Sequence, residues 1–97
     1  MLENLKIDDF LPLVGSSFWL YHGEHKVEMR LEKALPVMES QAARLKRVAF
    51  SLYFLAPLAV PQGMHRMTHD AFPEPLDIFV VPIGQEPNGF THEAVFT

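Results

Sequence analysis

The chain contains no cysteine. That absence excludes a disulfide framework and any thiol chemistry, and it fits a reducing compartment. Long apolar runs are missing too, because no window approaches the ~18 uninterrupted apolar residues of a helical membrane span. The first ten residues, MLENLKIDDF, are acidic and mixed, with no basic stretch leading into an apolar one. Positive charge is scarce: eight Lys and Arg stand against twelve Asp and Glu, a formal net charge of −4. Nucleic-acid binders carry a basic face, and the cluster Arg44, Lys46, Arg47 is too small to supply one. It is read as a solvated loop. Neither nucleic acid nor membrane is an expected partner, and the expected location is cytoplasmic. The five glycines are all isolated, so there is no Gly-rich phosphate loop. Ser16, Ser17, Ser40 and Ser51 offer hydroxyls, but none sits in a Gly-x-Ser-x-Gly elbow.

What the chain does have is apolar residues, 48% of its 97 positions, eight of them Phe. A chain of this length buries about two-thirds of its unfolded surface, enough for one core. Residues 1–97 are expected to form a single β domain.

The clearest pattern lies in the last forty residues, PLAVPQGMHRMTHDAFPEPLDIFVVPIGQEPNGFTHEAVF, where two-residue apolar rhythm alternates with Pro and Gly. Strands are predicted near Met64–His69, Leu76–Ile83 and Phe90–Phe96. Asn88-Gly89 suits a turn position with positive φ. Pro82 marks an edge, a bulge or a strand end, because it cannot donate to a ladder.

Upstream, Ser17–His22 and His25–Leu35 read as a hairpin around Gly23-Glu24. Val27, Met29 and Leu31 share one face, with Glu28, Arg30 and Glu32 on the other. Pro36 is expected to stop the strand. Residues 36–46 break the rhythm and form the main loop, with a brief helix from Ser40 to Lys46. Arg47–Leu55 is the most apolar strand, with Val48, Phe50, Leu52 and Phe54 on one side. Residues 7–14 predict one helical turn capped by Asp8 or, better given Pro12, Asp9. It would end at Gly15 and lay Phe10, Leu11 and Val14 over one open end of the sheet. The fold class is therefore all-β: a small antiparallel barrel or sandwich of about six strands with a short N-terminal helix.

Several residues also carry a resemblance: Phe10-x-x-Leu13-Val14-Gly15-x-x-Phe18, Pro61-Gln62-Gly63, His69, Phe79-Val80-Val81-Pro82-Ile83-Gly84, Gly89 and Glu93-Ala94-Val95-Phe96. Together they resemble a small bacterial family known only as a domain of unknown function, over nearly the whole chain. The resemblance implies association with phage-tail-collar-type genes, hence a structural or assembly role, with a secreted or phage-like assembly as the alternative location. The chain departs from that pattern at Met64, where an aromatic is usual, at His92, where Tyr is usual, and at Thr97, where Asn is usual. The Asp70–Pro75 turn is longer than typical. The family carries over no catalytic residues.

Candidate chemistry is thin. His65 and His69 share a strand face but stand roughly 13 Å apart at ~3.3 Å per residue, too far to chelate one ion. His22 and His25 flank a turn, and Asp70 could add a ligand, yet a structural zinc takes four. No metal, cofactor or catalytic residue is assigned. Asp77, between Leu76 and Ile78, is read as an outward acid over an inward one. The aromatic inventory says more. The strands holding Phe18, Trp19 and Tyr21, and Leu52, Tyr53, Phe54 and Leu55, are apolar on both faces, so either the helix and the long loop cover the outer faces or another chain does. The expectation is a non-enzymatic interaction module that associates with itself, as a homo-oligomer, or with another protein. Its contacts would come from Trp19, Tyr21, Tyr53, Phe90 and Phe96, with Phe90–Phe96 as an edge strand open to pairing. The alternatives are a small-ligand barrel with His65, Met67 and His69 at its mouth, and a hydrolase needing an inward His cluster with Asp70 or Asp77.

Overall fold

The computed structural model describes residues 5–37 and 49–97. Its elements in order are α1 (Ile7–Phe10), a 3-10 turn (Leu11–Leu13), β1 (Ser17–His22), β2 (His25–Pro36), β3 (Phe50–Ala56), β4 (Gly63–Thr68), β5 (Leu76–Glu86) and β6 (Gly89–Phe96). The strands close into an antiparallel barrel in the order β1-β2-β3-β6-β5-β4, which settles barrel over sandwich. Closure comes from β1 pairing with β4, Leu20 opposite Met67. The expected helix Ser40–Lys46, the basic cluster and the strand start at Arg47 and Val48 lie outside the described residues.

The two-residue rhythm dictates which side chains face inward. Phe18 and Leu20, Val27, Met29 and Leu31, Phe50, Leu52 and Phe54, Met67, Ile78 and Val80, and Ala94 and Phe96 form one buried cluster. A six-stranded barrel has an interior that side chains fill, and here they do. Two bulges break the alternation. In β2 both Glu32 and Lys33 face out, so burial resumes at Ala34. In β5 the register shifts between Pro82 and Gly84, the bulge outcome among the three roles expected of Pro82. Bulges bend a strand and raise its twist, which closing so small a barrel requires.

Each open end is plugged differently. At one end α1 drops Phe10 onto Phe18, Phe50, Phe72 and Phe96, with ring centroids 5.4–6.3 Å apart. Leu11 and Val14, expected in this plug, are exposed; Leu5, Ile7 and Leu13 pack against the core instead. Asp9 is not the N-cap. The helix starts one turn earlier, so Asp9 sits at its third position, and its Oδ2 accepts the Lys6 N–H at 2.7 Å. Pro12 then falls in the following 3-10 turn, where a missing N–H costs nothing. Gly15, with φ +93°, turns the chain back to the barrel, and its N–H donates to Leu31 O. At the other end the β3–β4 connection, residues 57–62, buries Val60. β2 ends at Pro36, as expected, although Pro36 still pairs with Phe50 and Val37 N–H donates to Ala49 O just beyond it.

Candidate functional site: the outer face of three strands

On the outside of β1, β4 and β5 the registers assemble one continuous face. Trp19 lies opposite Thr68, Tyr21 opposite Arg66, and Arg66 opposite Asp77. Met64 lies opposite Phe79 in the next row. Period two alone puts all of these outward, because their neighbours Leu20, Met67 and Ile78 are needed inside. Trp19 is 36% exposed, Tyr21 40%, Phe79 47% and Met64 63%. Arg66 is at the centre, its Nε 3.4 Å from Asp77 Oδ1. Lys26 of β2 flanks the face, its Nζ 4.7 Å from the Trp19 ring centroid and 6.0 Å from that of Tyr21. The aromatic rings are thereby held by a cation that water reaches freely. Asp77 is the outward acid the sequence suggested.

Tyr53 is also outward, but around the barrel on β3. Its hydroxyl donates to Glu93 Oε2 at 2.9 Å, with Lys33 Nζ 5.0 Å from its ring. The hydrogen bond to Glu93, then burial, raises the phenol pKa above 10. Tyr53 therefore belongs to a different surface from Trp19 and Tyr21. The other two expected contact residues do not form a surface. Phe96 is buried, stacked on Phe50 at 4.8 Å with a 5° interplanar angle. Phe90 is half-buried at the start of the same strand. Nor is β6 an edge, since β3 pairs with it on one side and β5 on the other.

The three residues proposed for a barrel mouth also separate. Met67 is a core residue, fully buried. His65 faces inward at the opposite end from His69, its Nε2–H donating to Pro61 O at 2.7 Å. His69 works as a tie. Its Nδ1 accepts the Ala71 N–H at 2.9 Å, which leaves the proton on Nε2 for Ser16 Oγ at 2.9 Å. Ser16 in turn donates to Leu13 O, so this ring joins the N-terminal plug to the β4–β5 turn. Beside it lies an open groove of about 390 Å3, lined by Trp19, Thr68, Asp70, Phe72, Glu74 and Pro75 among others. The inward His–Asp cluster a hydrolase would need is not assembled by Asp70 or Asp77, both exposed.

His92 enters the sequence reading only as a departure from the family pattern and not as a site residue. It is fully buried, and it shares its phase with Ala94 and Phe96, a signal present in the alternation itself. Its Nε2 accepts the Val60 N–H at 3.1 Å, and its Nδ1–H donates to Phe90 O at 3.1 Å. Burial, the largest cause, pushes its pKa below 6.5. Among the described residues no group of three or more His, Cys, Asp or Glu could hold a metal ion, and no helix is long and apolar enough to cross a membrane.

By architecture the protein is a small closed antiparallel β barrel with plugged ends. Residues 5–96 match the family described as "Domain of unknown function (DUF6916)", and the chain belongs to that family. No curated protein and no solved structure matches it.

Proposed function

We propose that the protein is a non-enzymatic interaction module that docks a second protein surface, a copy of itself or another chain, onto the outer face of β1, β4 and β5. The observation that carries this reading is the composition of that face: Trp19, Tyr21, Met64 and Phe79 around Arg66. Trp, Tyr, Phe, Met and Arg are the residue types enriched at protein interfaces, and the first two and Arg dominate binding hot spots. The rigid closed barrel adds support, because its face is organised before the partner arrives and little ordering entropy is lost on binding. The phage-tail-like assembly role implied by the family resemblance is the finer form of the same reading. A small barrel with one adhesive face suits a repeating or adaptor part.

The test is the solution mass across a concentration series, compared with Tyr21→Glu and Phe79→Glu. The expected result is a dimer or larger species in the parent and a folded monomer in both variants. A parent that stays monomeric assigns the face to a different protein. Variants that associate as the parent does sink this face as the interface.

The groove beside Trp19 supports a second reading, a small-ligand site on the rim instead of inside the filled barrel. Its volume lies in the range of ligand pockets. The chain has one Trp, so ligand titration followed by Trp19 fluorescence addresses this groove directly.

A further inference from the structure

The end of the barrel opposite the aromatic plug holds two buried histidines, His65 of β4 and His92 of β6, with His22 exposed at the end of β1 beside them. His22 and His65 rings are 5.4 Å apart, edge to face. His65 and His92 hold the same short segment from two sides, one through Pro61 O and the other through Val60 N–H. Val60 is buried by that segment while its neighbour Leu58 is exposed.

The bond from Val60 imposes a protonation state. A backbone N–H can only donate, so His92 Nε2 must be an unprotonated acceptor. Nδ1 carries the ring's single proton toward Phe90 O. An imidazolium at His92 would point a second N–H at the Val60 N–H, and that pair cannot bond. No compensating charge faces the ring. The residues opposite it on β3 and β5 are Phe54 and Pro82. The connection that lies on it, PLAVPQ, has no charged residue. The titratable groups on its side are His65 of β4 and, behind it, His22 of β1. The buried polar or charged residues among those described are Ser51, His65 and His92, with no carboxylate among them.

We infer that this end of the barrel is an acid-released clasp: protonation of His92 breaks its bond to Val60 and frees the 57–62 connection, uncovering the apolar interior there while the aromatic end stays shut. The proton binds Nε2, no other bond is made or broken covalently, and the change reverses on neutralisation. Because the ring is held neutral in the folded state, the clasp loosens as pH falls below the ordinary histidine value of 6.5.

The experiment is amide hydrogen exchange by NMR on the intact chain between pH 7.5 and pH 4.5, values roughly spanning histidine titration, with each rate normalised to its unstructured value. The expected result is a loss of Val60 protection of about tenfold per pH unit as pH falls from roughly 6.5, levelling off below the clasp's midpoint, with Leu52 in β3 still protected. The His92 ring and the Val60 amide should titrate with one midpoint. In His92→Gln, whose amide oxygen can accept the same N–H, the pH step should vanish. Should that variant fail to fold, the shared midpoint in the parent decides alone. Val60 protection that does not change with pH overturns the clasp. So does simultaneous loss at Val60 and Leu52, which would be global acid unfolding.

Discussion

At Gly89 an added Cβ would meet Ala56 O at 2.6 Å, and φ there is +151°, a region that side chains avoid. Gly89→Ala should therefore lower unfolding free energy by about 1–3 kcal/mol in urea titration. Gly23→Ala meets no atom and bears only the strain of its φ of +60°, so its loss should be the smaller of the two. Phe10 is a second sensitive position. It contacts four other Phe rings at the plugged end, and Phe10→Ala should cost about 3–5 kcal/mol. Tyr53 makes a pH prediction. Its folded pKa is raised, so the Glu93 bond stabilises the protein below 10 and that contribution is lost as pH rises through the folded value. Phenolate absorbance of the parent should develop at higher pH than that of Glu93→Gln.

At the level of elements, the bulge at Glu32 and Lys33 makes a separate prediction. Glu32→Ala changes an exposed side chain and should shift stability by no more than ~0.5 kcal/mol. Deleting Glu32 keeps perfect alternation of faces but removes the bend, and by thermal melting it should lose several times as much. The contrast also explains what was legible beforehand. Alternation found all six strands, β1 to the residue, because facing in or out is a local property of spacing. It put Trp19, Tyr21 and Asp77 outside correctly. It gave no sign of the β2 bulge, since an extra residue between two charged positions looks like more of the same wet face. The pairing of β3 with β6, 34 to 46 residues apart in sequence and invisible in any local window, turned the expected edge at Phe90–Phe96 into a wall that β5 bonds on its other side. Met67 and Phe96 were misplaced for a related reason. Met67 was expected at a barrel mouth and Phe96 at a contact surface, while their phase, shared with His65 and Ala94, already pointed to the filled interior. The outer face of Met64 and Phe79 escaped notice because it exists only once β4 and β5 are set side by side.

For the molecule as a whole, closure leaves no strand edge free among the described elements. Association by strand addition is thereby denied, and any assembly must use side-chain surfaces. The two plugs then divide the barrel's behaviour. At the end filled by Phe10, Phe50, Phe72 and Phe96, His69 meets the Phe72 ring edge-on with both its nitrogens engaged. The other end answers to protons through His92. Acidification is thus expected to act on one pole of the molecule, far from the Trp19 rim, leaving Trp19 emission unchanged while Val60 exchanges.

The aromatic plug has one more consequence. Its rings come from both extremities of the described chain: Phe10 and Phe96 lie 5.5 Å apart. The polypeptide enters and leaves the barrel at the same pole. Such a unit can be spliced into a surface loop of a host protein without prying the host apart, and its own two ends can be joined by a short linker while a new opening is cut at the Gly23 turn. Evolution by insertion, and engineering by circular permutation, are both open to a barrel wired in this way.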